Sequence, residues 1–124
     1  VSGKKILLID DDKAIHAVVR AALGRAGHRV FTAVDAMQGP MFARQVEPDL
    51  VILDINLPGG GGEKVFDRLR SLPATAGLPI LIYSAVARSD FVSTIEETQD
   101  TVFLAKPATP EAIVAAVERL LGAG

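Results

Sequence analysis

The chain has 124 residues, 13 Lys and Arg against 15 Asp and Glu, a formal net charge of −2, and 49% hydrophobic against 23% charged residues. That length fits one domain, the composition suits a compact core, and the near-balanced charge leaves no basic footprint for nucleic acid. With no cysteine, disulfides, thiolate metal sites and cysteine nucleophiles are excluded. No apolar run approaches the ~18 residues of a membrane span, and no signal peptide is visible. Val1-Ser2-Gly3 and Gly122-Ala123-Gly124 read as the boundaries of one domain, 1–124, of the kind cut from a longer protein.

The first apolar run, Lys5 to Ile9, leads to Asp12, a helix N-cap by type and place. The helix it opens carries the stripe Ile15, Val18, Val19, Ala22, Leu23 and Ala26, and Gly27 ends it. A second run, His28 to Ala33, precedes a helix interrupted by Gly39-Pro40, whose regular part is predicted from about Pro40 to Val46. Met37 and Met41 read as packing residues, and His16 and His28 as surface residues without a metal partner in spacing. The third run, Leu50 to Leu53, is followed by Asp54-Ile55-Asn56-Leu57-Pro58 and four glycines, Gly59 to Gly62. Those glycines lack the lysine-hydroxyl ending of a phosphate-cradling loop and read as a mobile connection. Val65, Phe66, Leu69 and Leu72 mark a third helix, and Pro79 to Ser84 a fourth run. A fourth helix, roughly Ser89 to Thr98, offers only Phe91, Val92 and Ile95 to a core, so it is the segment expected to move. After the fifth run, Thr101 to Ala105, Thr109 caps a last helix opened by Pro110, with Ile113, Ala116, Val117, Leu120 and Leu121 on its buried face.

The middles of the runs, such as Ile6-Leu7-Leu8-Ile9 and Leu50-Val51-Ile52-Leu53, are continuously apolar, as strands covered on both faces require. Strict alternation of strands and helices with short connections therefore predicts an α/β fold, a doubly wound five-stranded parallel sheet with helices on both faces. In such sheets function gathers at the carboxyl ends of the strands. There the first strand delivers Asp10-Asp11-Asp12, the third Asp54-Ile55-Asn56, the fourth Ser84-Ala85 and the fifth Lys106-Pro107. Asp10, Asp11 and Asp54 cannot all stay ionised together without a counter-charge. A hard divalent cation with oxygen ligands, Mg²⁺ or Mn²⁺, resolves that, and the lack of His or Cys in the cluster argues against zinc. An aspartate at the centre can attack phosphorus to give an acyl phosphate.

The blocks Ile9-Asp10-Asp11, Leu53-Asp54-Ile55-Asn56-Leu57-Pro58-Gly59, Tyr83-Ser84-Ala85 and Leu104-Ala105-Lys106-Pro107 resemble the signatures of response-regulator receiver domains, and the resemblance covers essentially the whole chain. It implies a flavodoxin-like sheet of order 2-1-3-4-5. By position, it implies Asp54 as phosphoacceptor, with Asp11 binding the metal directly, Asp10 mostly through water, and Asn56 through its backbone carbonyl. It further implies that Ser84 and Lys106 contact the phosphoryl group, that Phe103 switches rotamer with Ser84, and that the Lys106–Pro107 bond is cis. The implied partners are a sensor histidine kinase or phosphotransfer protein and an effector domain or protein of unspecified kind, in the cytoplasm, with no direct nucleic-acid or membrane contact. Signalling would pass through the face made by the fourth helix, fifth strand and last helix. The chain departs from the family at Gly59–Gly62, Pro40, Ala108 (where an aromatic is typical), and Gln99-Asp100-Thr101-Val102, which lacks the acids used in one symmetric dimer.

Blander readings compete at each position. Asp12 is better explained as a cap than as a ligand, Ser84 could merely bond backbone, Phe103 could be ordinary core, and Lys106 alone would be a solvated lysine. Two other functions compete with the switch: a metal-dependent phosphatase with an aspartyl nucleophile, and a degenerate receiver that only binds partners. The first would place nucleophile and acid two residues apart after one strand and add a cap domain. The second is at odds with the complete set Asp10, Asp11, Asp54, Ser84 and Lys106.

Overall fold

The computed structural model describes residues 3–58, 61–85 and 95–122. The elements run β1 (Lys5–Ile9), α1 (Lys13–Arg25), β2 (Arg29–Ala33), α2 (Gln38–Val46), β3 (Leu50–Leu53), α3 (Gly61–Ser71), β4 (Ile80–Ser84), β5 (Thr101–Ala105) and α4 (Pro110–Gly122). The strands form one parallel sheet in the order β2-β1-β3-β4-β5, the expected doubly wound arrangement. Because successive side chains on a strand point to opposite faces, each strand feeds two cores. Leu7, Ile9, Val51, Leu53, Ile80 and Ile82 meet Val65, Phe66 and Leu69 of α3 on one side. Ile6, Leu8, Leu50, Ile52 and Leu81 meet Val19 and Leu23 of α1 and Ile113 and Val117 of α4 on the other. Each such buried side chain contributes about 1.5–3 kcal/mol relative to exposure, so the central strand ends stand on a rigid base.

Local chemistry sets the element boundaries. Asp12 caps α1, its side chain accepting from the Ala14 N–H. At the other end Gly27 takes φ 92°, its N–H reaches Gly24 O and the His28 N–H reaches Leu23 O, a Schellman closure that needs the left-handed glycine. His28 thus belongs to the end of α1, and β2 begins one residue later than the apolar run suggested. The α2 helix opens two residues before the expected Pro40. Asp35 Oδ1 accepts from the N–H groups of Met37 and Gln38, and Gln38 Oε1 accepts from Val34 N–H. Pro40 falls in the first turn, where a missing N–H costs nothing.

Three packing expectations are corrected. Val18 is 42% exposed, because α1 buries the narrower face of Val19, Ala22 and Leu23. Met37 and Met41 are 82% and 45% exposed, because α2 turns its small residues Gly39, Pro40 and Ala43 to the sheet. A Cβ on Gly39 would stand 2.9 Å from Ile9 Cδ1, so a side chain there would make Ile9 shift. Gly61 and Gly62, expected in a mobile loop, are buried in the first turn of α3. A Cβ on Gly62 would lie 2.2 Å from Ile55 Cα.

Most of the expected fourth helix, including Phe91 and Val92, lies outside the described residues, as do Gly59 and Gly60. Its expected last turn, Ile95 to Thr98, is not helical. There Thr98 N–H bonds Thr101 O, Asp100 N–H bonds Thr98 Oγ1, and Glu97 accepts from Phe103 N–H, which turns the chain into β5. Ile95 is nevertheless buried in the core beside α3.

The amino-terminal rim of the sheet is tied by side chains. Asp49 Oδ2 accepts from Lys5 N–H at 2.8 Å, and Lys5 Nζ reaches Val46 O. His28, expected at the surface, is buried, and its Nε2 meets Glu118 of α4 at 2.5 Å. That contact holds the Glu118 carboxyl below its ordinary range. Arg70 donates to Ala76 O, Leu78 O, Asp100 O and Thr101 Oγ1, fastening the end of α3 to the start of β5.

Candidate acidic site at the strand ends

The β1–β3 pairing sets Ile9 beside Leu53, so the residues that follow, Asp10 and Asp54, emerge side by side on the carboxyl rim. Asp10 and Asp54 are only 1% and 6% exposed, while Asp11 is exposed. One oxygen from each of these three carboxylates lies within 4.8 Å of the others. Asp10 is fixed by the Asp12 N–H at 2.9 Å on Oδ1 and by Lys106 Nζ at 2.7 Å on Oδ2. Asp54 Oδ1 accepts from Asn56 N–H at 3.0 Å and from Ser84 Oγ at 2.9 Å, and Oδ2 faces Lys106 Nζ at 3.4 Å.

Lys106 therefore spans from β5 across Ser84 of β4 to both acids. The Lys106–Pro107 peptide is cis. Burial raises the Asp10 carboxyl above its ordinary pKa, against the opposing pull of Lys106 and the Asp12 N–H. Burial pulls the Lys106 ammonium down, but Asp10 and Asp54 together outweigh it and hold the pKa above the ordinary lysine value. Three carboxylates thus face one fixed ammonium. The unbalanced charge and the all-oxygen donor set of Asp10, Asp11 and Asp54 fit a hard divalent cation.

Asp10, Asp11, Asp54, Ser84 and Lys106 are all brought to one rim, and Asp12 stands apart as a helix cap. Asn56 is exposed beside Asp54. Phe103 is half-buried against the core on the α3 side, two residues from the end of the Ser84-bearing strand pair. Two contributors escaped the sequence reading. His16 Nε2 contacts the Asp10 backbone carbonyl at 2.5 Å, and its signal was only its place one turn after Asp12. Tyr83 places its ring under Lys106 Nζ at 5.5 Å and accepts from Ala108 N–H through its hydroxyl. Its neighbourhood with Ser84 hid a role on the opposite face of the strand.

The same architecture and rim occur in known proteins. The response regulator receiver domain family matches residues 6–118, and the chain belongs to it. The DNA-binding dual master transcriptional regulator RpaA of Synechocystis is 39% identical over 118 residues, 94% of this chain and 48% of that protein. The chain spans about half the length of the curated transcriptional regulators it matches. The chemotaxis response regulator CheY4 of Vibrio cholerae is 26% identical with a TM-score of 0.81, covering 96% of this chain and 99% of the other. In fold alone, the chain is like the receiver domain of a Pseudomonas aeruginosa sensor histidine kinase, 24% identical with a TM-score of 0.82 over 98% and 99% of the two chains. That domain was solved with a magnesium ion coordinated in its active-site cleft. The relatives are signalling proteins of two-component phosphorelays, and none of the described helices is long and apolar enough to cross a membrane.

Proposed function

We propose that this domain is a phosphorylation-activated switch whose acceptor is Asp54, charged by a sensor histidine kinase or phosphotransfer protein in a Mg²⁺-dependent (or Mn²⁺-dependent) step. The observation that carries this reading is the setting of Asp54: one carboxylate oxygen is held by Ser84 and the Asn56 N–H while the other faces Lys106.

A carboxylate oxygen of Asp54 forms a bond to phosphorus as the bond from phosphorus to the donor's imidazole nitrogen breaks. The Asn56 N–H and Ser84 hydroxyl orient the carboxylate before attack, so little reorganisation accompanies the reaction. Lys106 is a fixed ammonium within reach of the incoming phosphoryl oxygens, and Ser84 can turn its hydroxyl from Asp54 to one of them. Asp10, Asp11, Asp54 and the Asn56 carbonyl would hold the metal, which when bound supplies positive charge against the carboxylates and the phosphoryl oxygens. The cis Lys106–Pro107 bond belongs to the same assignment, as does Phe103, which pairs with Ile82 two residues before Ser84 and changes rotamer when Ser84 moves.

The signal leaves through the face joining the segment after β4, β5 and α4, towards an effector domain or protein. The domain itself works in the cytoplasm and contacts neither nucleic acid nor membrane. Incubation with a small phosphodonor and Mg²⁺, followed by intact mass measurement, tests this. A species heavier by about 80 Da, one phosphoryl group, is expected in the wild type and absent in Asp54→Asn. Equal uptake by Asp54→Asn would overturn the assignment. Steady release of phosphate from small esters, without a labelled protein, would favour the phosphatase reading.

A further inference from the structure

The described residues leave three large apolar side chains exposed, and two of them, Met37 and Met41, stand together in a groove of about 540 Å³ between α2 and α3. Val65 contributes to its apolar lining, and Arg44, Lys64 and Arg68 line it with positive charge. None of these three cations pairs with an acidic side chain among the described residues. Elsewhere the chain anchors its charges. Arg70, two residues on from Arg68 and so on the far face of α3, has four hydrogen bonds. A concave apolar strip flanked by unneutralised cations is otherwise costly surface on a domain whose net charge is negative.

We infer that the α2–α3 groove docks a partner protein that presents an acidic amphipathic helix, its apolar ridge against Met37 and Met41 and its carboxylates against Arg44, Lys64 and Arg68. The unbranched, polarisable methionine side chain adapts to ridges of differing shape, and the helix-in-groove mode needs only an apolar stripe with flanking charge of the right sign. A second copy of this chain is a poor occupant, because a two-fold contact would set the three cations against themselves. The position has a consequence. The groove begins at Ala36 and runs along both helices to Arg44 and Arg68 in their last turns, and at its near end a Cβ on Gly61 would lie 3.1 Å from the Ala36 Cβ and 2.9 Å from the Leu57 Cβ. A helix seated there rests beside the loop leaving Asp54 and leaves the acidic rim open.

The chain has two methionines, and both are in this groove, so ¹³C-methyl methionine labelling reports on it alone. The probe is a synthetic peptide of about five helical turns, with leucines at helical spacing flanked by glutamates, titrated into the full chain. Its controls are the same peptide with lysines for glutamates, and phosphatidylglycerol vesicles. Both methyl resonances should shift saturably with the acidic peptide, and the shift should weaken with added salt. Affinity should fall at least about tenfold in the Arg44→Glu/Lys64→Glu/Arg68→Glu protein. Should that protein fail to fold, the Arg44→Gln/Lys64→Gln/Arg68→Gln variant should show the same loss. No methyl shift with the acidic peptide, an equal shift with the lysine peptide, or a response to vesicles alone would overturn the inference. So would methyl shifts that follow protein concentration without peptide, which would make the occupant a second copy.

Discussion

Substituting Gly62 by alanine probes how α3 is seated against the loop that carries Asp54. The added Cβ would lie 2.2 Å from Ile55 Cα, 2.3 Å from Ile55 O and 2.4 Å from Ile55 C. Carbon atoms in contact sit about 3.5–4.0 Å apart, so helix or loop must retreat by roughly 1.3 Å. All three obstructing atoms are backbone and cannot rotate aside. Overpacking of this kind costs about 1–3 kcal/mol, and alanine returns only about 0.5–1 kcal/mol of helix propensity. Strain therefore wins, and Gly62→Ala should lose about 1–2 kcal/mol. Gly24 in α1 is the internal control, since nothing lies within 4 Å of its Cβ position. There the same substitution should stabilise by about 0.5–1 kcal/mol. Urea unfolding separates the two, with the midpoint moving in opposite directions at unchanged m-value. Because Asn56 N–H holds Asp54 Oδ1, the retreat should also slow phosphoryl uptake in Gly62→Ala and leave Gly24→Ala unaffected. A Gly62→Ala protein as stable as the wild type would refute the close seating of α3. Parallel shifts in both variants would mean that helix propensity alone governs.

Other perturbations follow from contacts already described. Arg70→Ala should cost about 2–3 kcal/mol in urea unfolding, because it strips a charged donor from four acceptors at once. Arg70→Lys should recover little, since one ammonium cannot reproduce the planar fork; full recovery would contradict that. The Glu118 carboxyl lies below its ordinary value through its bond to His28, so its contribution to stability is present above the unfolded value and lost as pH falls through the folded one. Glu118→Gln should accordingly flatten the acid limb of a plot of unfolding midpoint against pH, and an unchanged limb would exclude the pair from acid stability. Saturating Mg²⁺ should raise the wild-type Tm by mass action and raise it far less in Asp11→Asn. A Tm indifferent to Mg²⁺ would mean the rim holds no such ion.

How much of this was readable in the sequence depended on residue size and on sequence separation. The strands were plain because a parallel sheet covered on both faces demands unbroken apolar runs, and Leu50–Leu53 and Thr101–Ala105 fall where the runs do. The acids, the serine and the lysine were plain because strand ends are fixed once the strands are. What hid was close packing by small residues. A reading that assigns large apolar side chains to the interior places Met37 and Met41 inside, whereas α2 buries the small residues Gly39, Pro40 and Ala43 instead. The glycines of α3 deceived in the same way, since the residue that permits a loose loop also permits the nearest approach of two backbones. His28 hid for a different reason, its partner Glu118 being 90 positions away. The non-helical Ile95–Thr98 hid because its polar side chains bond the backbone of the turn into β5, a choice that propensity does not foretell.

The two rims of the sheet are held in opposite ways. At the amino-terminal rim Lys5 with Asp49, His28 with Glu118, and Arg70 with Asp100 and Thr101 lace distant parts of the chain together. At the carboxyl rim three like charges are crowded round one ammonium. Stability is therefore polarised along the strands, with a laced hem and a mouth that pushes itself apart. Amide exchange should open first around Asp10–Asp12 and Ile55–Asn56 and last at the hem. A cation or phosphoryl group arriving at the mouth acts where the fold resists least, so a small binding energy there moves more of the molecule than the same energy spent at the laced end.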